Sequence, residues 1–139
     1  MCPSWTHPRE SEWMTKIYKE VSAVSDEIQL TDGADYLLCV LYDDYVQRRK
    51  NGESAFDAKF FGGPEAIQSE LIPKWPTHDI EEHAFELFRN ELVALELGNN
   101  TFSQGRLEDR AIACMQRRFG RKAGEVLQHI AALRMLLFG

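Results

Sequence analysis

Residues 73–103 of this 139-residue chain, PKWPTHDIEEHAFELFRNELVALELGNNTFS, decide its fold. Two prolines among the first four residues forbid a continuous helix and mark a turn. Thr77 is the expected N-cap of the helix that follows, which runs to about Leu92. An apolar run then meets Gly-Asn-Asn at 98–100, a strong hairpin signal, and residues 101–103 form the returning strand. The stretch therefore predicts a turn, a helix and a β-hairpin.

The residues before this stretch predict two more helices and a short strand. A helix over 34–50 is the most apolar of the middle region, so we expect it at the centre of the core. Its basic end at 48–50 suits the negative end of a helix dipole, with a phosphate contact as the alternative. A short strand is expected near 58–60. A short helix over 64–71 begins with proline in its first turn.

Taken in order, the elements from 32 to 103 resemble a winged helix-turn-helix domain. The resemblance rests on the order of the elements, the proline-rich turn and the hairpin signal at 98–100. It implies a mainly α fold with a small β-hairpin, to which helices are added at the N- and C-terminal ends. It also implies that the helix over 77–92 is the one such domains place in the DNA major groove. The hairpin tip would then touch the DNA backbone or minor groove.

The chain, 1–139, is expected to form a single domain with apolar helix stripes at both ends. Residues 1–9 are a predicted flexible lead-in, 11–30 an amphipathic helix, and 106–139 C-terminal helices interrupted at Gly120. Each apolar stripe must lie on the main domain or on a second copy of the chain. The candidate contact residues are Trp13, Ile17, Val21, Val24, Ile130, Leu133 and Leu137.

The distribution of charge argues against DNA binding through the usual helix. The net charge is −6, and residues 106–139 carry +4 while the rest of the chain carries −10. Between Thr77 and Gly98, six acidic side chains accompany a single arginine, a net charge of −5. Because DNA affinity depends largely on neutralising phosphates, such a helix would be repelled by the duplex. We therefore expect DNA binding to be disfavoured.

Basic side chains cluster near the start of the C-terminal helices, and this cluster has three interpretations. It could be a displaced phosphate-binding patch, an interface with the acidic 77–96 segment of a neighbouring subunit, or a solvated basic helix. The solvated helix is preferred to the nucleic-acid interpretation. The candidate side chains are Arg106, Arg110, Arg117, Arg118, Arg121 and Lys122.

The sequence carries no motif for catalysis or cofactor binding. It has no Gly-rich phosphate loop, no nucleophile elbow and no His-Glu-x-x-His zinc motif. Asp79 and His83 share a helix face, but two ligands do not make a metal site. Cys39 and Cys114 lie within apolar helical patterns, where cysteine acts as a small hydrophobe. We therefore predict a protein without enzymatic activity, cofactor or metal.

The sequence further predicts a cytoplasmic protein that does not enter a membrane. No apolar run approaches the roughly 20 residues that span a bilayer, and residues 1–10 lack an apolar signal-peptide core. Three widely spaced cysteines suit a reducing compartment. The favoured function is a non-enzymatic module acting through protein–protein association, as a homodimer or with another protein partner. The alternative is a DNA-binding transcriptional regulator that uses a basic C-terminal patch or the wing.

Overall fold

The structure, a computed structural model, describes residues 29–120 and 123–138. Within them the chain is mainly helical with one small three-stranded antiparallel sheet, which confirms the expected mainly α fold with a small β-hairpin. The predicted lead-in at 1–9 and the candidates Trp13, Ile17, Val21, Val24, Arg121 and Lys122 lie outside the described residues. The elements are α1 (Asp32–Lys50), α2 (Ala55–Ala58), β1 (Phe60–Gly62), α3 (Pro64–Glu70), α4 (Thr77–Arg89), β2 (Val93–Gly98), β3 (Thr101–Leu107), α5 (Asp109–Phe119) and α6 (Ala123–Phe138).

The first helix, α1, begins two residues earlier than predicted because Thr31 caps it. The Thr31 hydroxyl accepts a hydrogen bond from the Ala34 N–H at 3.3 Å, which satisfies a free N–H of the first turn. At the other end, the cations at 48–50 lie beside the negative end of the helix dipole. The predicted helix over 34–50 is therefore confirmed.

The same helix forms the centre of the core, as its apolar composition predicts. From Gly33 to Tyr42, every residue except Asp35 is buried. Both α4 and α6 pack against α1. Burying one large aliphatic side chain stabilises a fold by about 1.5–3 kcal/mol, so this helix contributes much of the favourable free energy of folding.

The sheet has the strand order β1-β3-β2, and the predicted hairpin forms two of its strands. Asn99 and Asn100 make the turn with φ angles of 51° and 66°, a conformation that asparagine tolerates better than most residues. The returning strand is four residues longer than predicted and ends at Leu107. The sequence predicts that the strand ends before Gly105. In the structure, however, Gly105 pairs with Phe61 on one side and Leu95 on the other.

Three other boundaries differ from the predictions. The first strand lies at 60–62 rather than 58–60, because Ser54 caps the short helix α2 just before it. Pro76, not Thr77, is the N-cap residue of α4, and no side chain bonds to the free N–H groups there. That helix ends at Arg89 rather than Leu92, and Glu91 turns the chain with a φ of 61°.

Arg48 explains why α1 ends in basic residues. Its guanidinium donates hydrogen bonds to the carbonyl oxygens of Phe60 and Asp57, and it pairs with the Glu53 carboxylate at 3.0 Å. One arginine thus holds the connection between α1 and β1 in place. The preferred interpretation of the basic end, an internal electrostatic role, agrees with these contacts.

Gly33→Ala tests how closely α1 and α4 approach. An added Cβ would lie 2.4 Å from Nε2 of His83, so the His83 ring, which stacks on Trp75, would have to shift. The expected loss is about 1–3 kcal/mol of unfolding free energy, measured by urea denaturation, even after the gain in helix propensity. Gly124→Ala is the control, because its Cβ would meet no atom within 4 Å. Equal stability of the two variants would contradict the close contact.

Candidate functional site

The outer face of α6 is the largest group of exposed apolar side chains on a single described helix. Leu127 is 49% exposed, Met135 71% and Leu136 65%. The small residues Ala131 and Ala132, between them, are exposed as well. We use the term outer face of α6 for the half of the helix surface that carries these five residues, together with the exposed polar residues Glu125 and Gln128.

The opposite side of α6 is buried against the rest of the chain. Val126, Ile130 and Leu133 belong to the core, and Leu137 is partly buried beside it. The candidate contact residues Ile130, Leu133 and Leu137 therefore turn toward the chain's own core, which corrects their assignment to a partner-binding surface. A helix buries the apolar stripe that its own domain can cover, and here α1 covers it.

Two apolar sides on one helix form an unusual pattern for a surface element. Polar side chains in the described part of α6 are limited to Glu125, Gln128, His129 and Arg134. A helix that is apolar all round is normally buried all round. Leu127, Ala131 and Met135 recur at steps of four and form a second apolar stripe. In the sequence this stripe is less evident than the more regular one through Val126 and Ile130.

A second candidate site joins three helices through charged groups. Nη1 and Nη2 of Arg118, on α5, donate to the two carboxylate oxygens of Asp35 at 2.7 and 3.0 Å. Nε2 of His129, on α6, lies 2.6 Å from Nη2 of Arg118 and 3.2 Å from the Asp35 carboxylate. Nε2 accepts from the Arg118 guanidinium when the ring proton is on Nδ1, and donates to the Asp35 carboxylate when Nε2 carries a proton. We call these three side chains the ionic cluster.

The ionic cluster keeps Asp35 charged inside the otherwise buried stretch of α1. Burial by itself would raise the pKa of the Asp35 carboxyl. Hydrogen bonds and charge from Arg118, with a smaller effect of His129, outweigh burial and hold that pKa below its ordinary value. Burial, reinforced by the negative Asp35, has the opposite effect on the nearby Cys39 thiol and raises its pKa far above the ordinary value.

The same geometry disfavours metal binding and nucleophilic chemistry at this cluster. Ligand atoms of Asp35, Cys39 and His129 lie within 4.8 Å of one another, a donor set that zinc accepts. A cation there would have to displace the Arg118 guanidinium from both carboxylate oxygens and also expel the thiol proton. The buried thiol is a poor nucleophile, since the thiolate is the reactive form. The contacts therefore indicate a structural role for the ionic cluster, which joins α1, α5 and α6.

Two carboxylates of the acidic helix α4 accept hydrogen bonds from other parts of the chain. The Glu81 carboxylate accepts a hydrogen bond from the Thr101 hydroxyl at 2.7 Å. Glu86 accepts two from Thr31, one from its N–H and one from its hydroxyl, each at 2.8 Å. Both carboxylates are engaged within the chain, so Asp79 and Glu82 remain as the acidic side chains of α4 directed outward.

The described basic candidates do not form one open patch. Arg110 lies 3.3 Å from Glu91, Arg106 lies 3.8 Å from Glu108, and Arg118 belongs to the ionic cluster. Arg117 is exposed, with its guanidinium 3.9 Å from the Cys114 sulfur. The ring of His83, one of the two metal-ligand candidates of α4, stacks on the Trp75 ring with the ring centroids 5.0 Å apart.

Comparisons with protein-family models, with curated proteins and with solved structures found no match. None of the helices that the structure describes has the length and apolar content needed to cross a membrane. The outer face of α6 and the ionic cluster are therefore interpreted from their own chemistry.

Asp35→Asn tests the ionic cluster. At neutral pH the variant should be less stable by about 1–2 kcal/mol, a value discounted because Arg118 is partly exposed. Since the pKa of Asp35 is lowered by folding, its contribution is present above the ordinary carboxyl pKa and is lost as pH falls through the lower folded value. The difference from wild type should therefore shrink in acid.

Urea denaturation across an acidic pH series measures this difference. Asp109→Asn is the matched control, because Asp109 pairs with Lys59 on the surface and should cost little. Equal stability of wild type and Asp35→Asn at neutral pH would contradict a stabilising cluster.

Proposed function

We propose that residues 32–107 form a winged helix-turn-helix-like core and that the protein acts, without enzymatic activity, through protein–protein association. The element order supports the first part: a helix, a short helix, a strand, two helices and a hairpin, with β1 paired to the returning strand. The association surface is the outer face of α6. A second copy of the chain and another protein are both partners of suitable chemistry.

The exposed side chains of α6 are the observation that carries this proposal. Single apolar side chains on a surface need no explanation, whereas several on one helix face mark a contact site. Covering apolar surface gains about 25 cal/mol per Å², and Met135 and Leu136 are each about two-thirds exposed. Contact with an apolar partner surface would recover that free energy.

DNA binding has weaker support from the same surfaces. On α3, α4 and the turn between them, Glu65, Glu70 and Glu82 are exposed, against the cations Lys74 and Arg89. A groove-binding surface needs cations because each phosphate contact releases counterions. The excess of carboxylates therefore favours a protein partner over a duplex.

A DNA-binding transcriptional regulator that uses a basic C-terminal patch or the wing remains the second candidate. Glu81 and Glu86 are held by hydrogen bonds within the chain, so two of the four carboxylates of α4 are not free to turn toward a duplex, although they keep their charge. The hairpin tip also exposes Asn99 and Asn100, which are able to bond to phosphates or base edges.

A photo-crosslinking amino acid at Met135 tests the association surface. Benzoylphenylalanine placed there in the full chain, and irradiated in the native host, should give intermolecular adducts whose protein component is identified by mass spectrometry. The same residue at Leu97, which is 55% exposed on the hairpin, is the matched control. Adducts at neither position, or equally at both, would remove α6 as the specific surface.

Fluorescence anisotropy with a mixed-sequence duplex at low salt tests the second candidate. We expect no rise at micromolar protein, because Arg110 and Arg118 already pair with carboxylates of the chain. A salt-sensitive rise that Arg117→Ala weakens would instead support DNA binding through the basic C-terminal patch.

A further inference from the structure

We infer that the partner of the outer face of α6 is a second copy of the chain. The two α6 helices pack antiparallel, related by a two-fold axis that passes between the levels of Gln128 and Ala131. This dimer rests on the association surface proposed above, to which it adds the occupant and the geometry. The side chains that form the contact all belong to the part of α6 that the structure describes.

Four exposed residues run along the middle of the outer face. Because an α-helix turns by about 100° per residue, these residues lie within about 60° of one another, on the side opposite the buried Val126. Their spacing of four, three and four residues is the spacing along which two helices pack. We call this line the midline of α6, and it consists of Gly124, Gln128, Ala131 and Met135.

The midline is complementary to itself when a second copy runs in the opposite direction. The two-fold axis then places Met135 of each copy at the level of Gly124 of the other. Met135 has a long, unbranched side chain that is 71% exposed, whereas Gly124 has no side chain. The large residue of one copy therefore fills the space that the small residue of the other copy leaves.

The glycine at position 124 has no evident role within its own chain. Gly124 does not have a positive φ, and an added Cβ would meet no atom of the described chain within 4 Å. Glycine also stabilises a helix less than alanine does. The described part of the chain therefore does not require glycine here, whereas the close approach of a second helix does.

Gln128, the polar residue of the midline, is able to pair with its own copy. Each Gln128 lies one and a half residues from the axis, so the two are separated by about 4.5 Å along the helix direction. A carboxamide both donates and accepts, so two symmetry-related amides satisfy each other, and the small Ala131 opposite leaves room for them. Such a pair fixes the register, because a shift along the helix would leave both amides without a partner.

A parallel pair of helices matches the midline less well. It would place Met135 against Met135 and Gly124 against Gly124, so that two large side chains meet at one end and a gap remains at the other. Close packing disfavours both the crowding and the gap. The complementarity of large and small residues therefore favours the antiparallel direction.

The size of the contact predicts a weak and reversible dimer. The helix α6 is about 24 Å long, and one pair of such helices covers less than the roughly 800 Å² per partner of a standard interface. Interfaces of this smaller size are typical of transient complexes. A second copy nevertheless offers an apolar face of matching length, so Leu127, Met135 and Leu136 of both chains lose solvent exposure together. We expect a dissociation constant on the order of 100 μM.

Sedimentation equilibrium of the full chain, from about 10 to 500 μM, tests the dimer. The average mass should rise from monomer toward dimer with concentration. Met135→Glu should raise the dissociation constant about tenfold or more, because it replaces the central apolar contact with a charge. Leu97→Glu is the matched control, since it adds the same charge at an exposed position of the hairpin and should leave the constant unchanged. A monomer at every concentration, or an equal effect of both variants, would overturn the dimer.

A double variant tests the direction of packing. When Gly124→Lys is combined with Met135→Glu, an antiparallel pair places each new lysine opposite a new glutamate of the other copy. The dissociation constant should then fall several-fold below that of Met135→Glu alone. A parallel pair would instead place like charges together. No recovery, or further weakening, would therefore contradict the antiparallel geometry.

Photo-crosslinking at Met135 in the native host separates failure of the dimer from failure of the association surface. An adduct that contains a peptide from α6 of the same protein supports the dimer. Adducts with another protein alone, together with a monomeric purified chain, would overturn the dimer and leave the association surface in place. Absence of any adduct specific to Met135 would count against the association surface itself.

Discussion

The need to bury α1 on nearly every side organises the rest of this structure. A helix with nine buried residues between Gly33 and Tyr42 must be enclosed by other elements, and α4 and α6 both pack against it. Asp35 interrupts this buried stretch with a charge that would be costly without partners. The Arg118 guanidinium and His129 are these partners, and their contacts offset the free-energy cost of burying the Asp35 carboxylate. Because Arg118 lies on α5 and His129 on α6, the same contacts join both helices to α1.

The same arrangement explains why α6 has two different apolar sides. Packing on α1 uses the side that contains Ile130 and Leu133, and this leaves Leu127, Met135 and Leu136 directed away from the core. An element fixed on one side by an ionic cluster and apolar on the other is suited to hold a second helix or a partner. The proposed association follows from this property.

Local chemistry explains which parts of the fold were predictable. The apolar run of α1, its basic end and the Asn-Asn turn of the hairpin all depend on residues close together in the chain, and all were predicted. Element ends were less accurate where distant residues decide them. The strand β3 continues through Gly105 because β1 and β2 both pair with it, and no feature near Gly105 in the sequence reports those partners.

The sequence by itself determined the longer helices that the structure describes, the hairpin, the uneven charge and the apolar character of the C-terminal helix, because periodicity and composition are local properties. Only the tertiary structure decided which charges and which apolar sides remain available. Glu86 bonds to Thr31 across 55 residues, and Arg118 reaches Asp35 across 83. A count of charges along the sequence treats these groups as if they faced solvent. Pairing between residues so far apart in the chain depends on how the helices pack, and the sequence pattern carries no information about that packing.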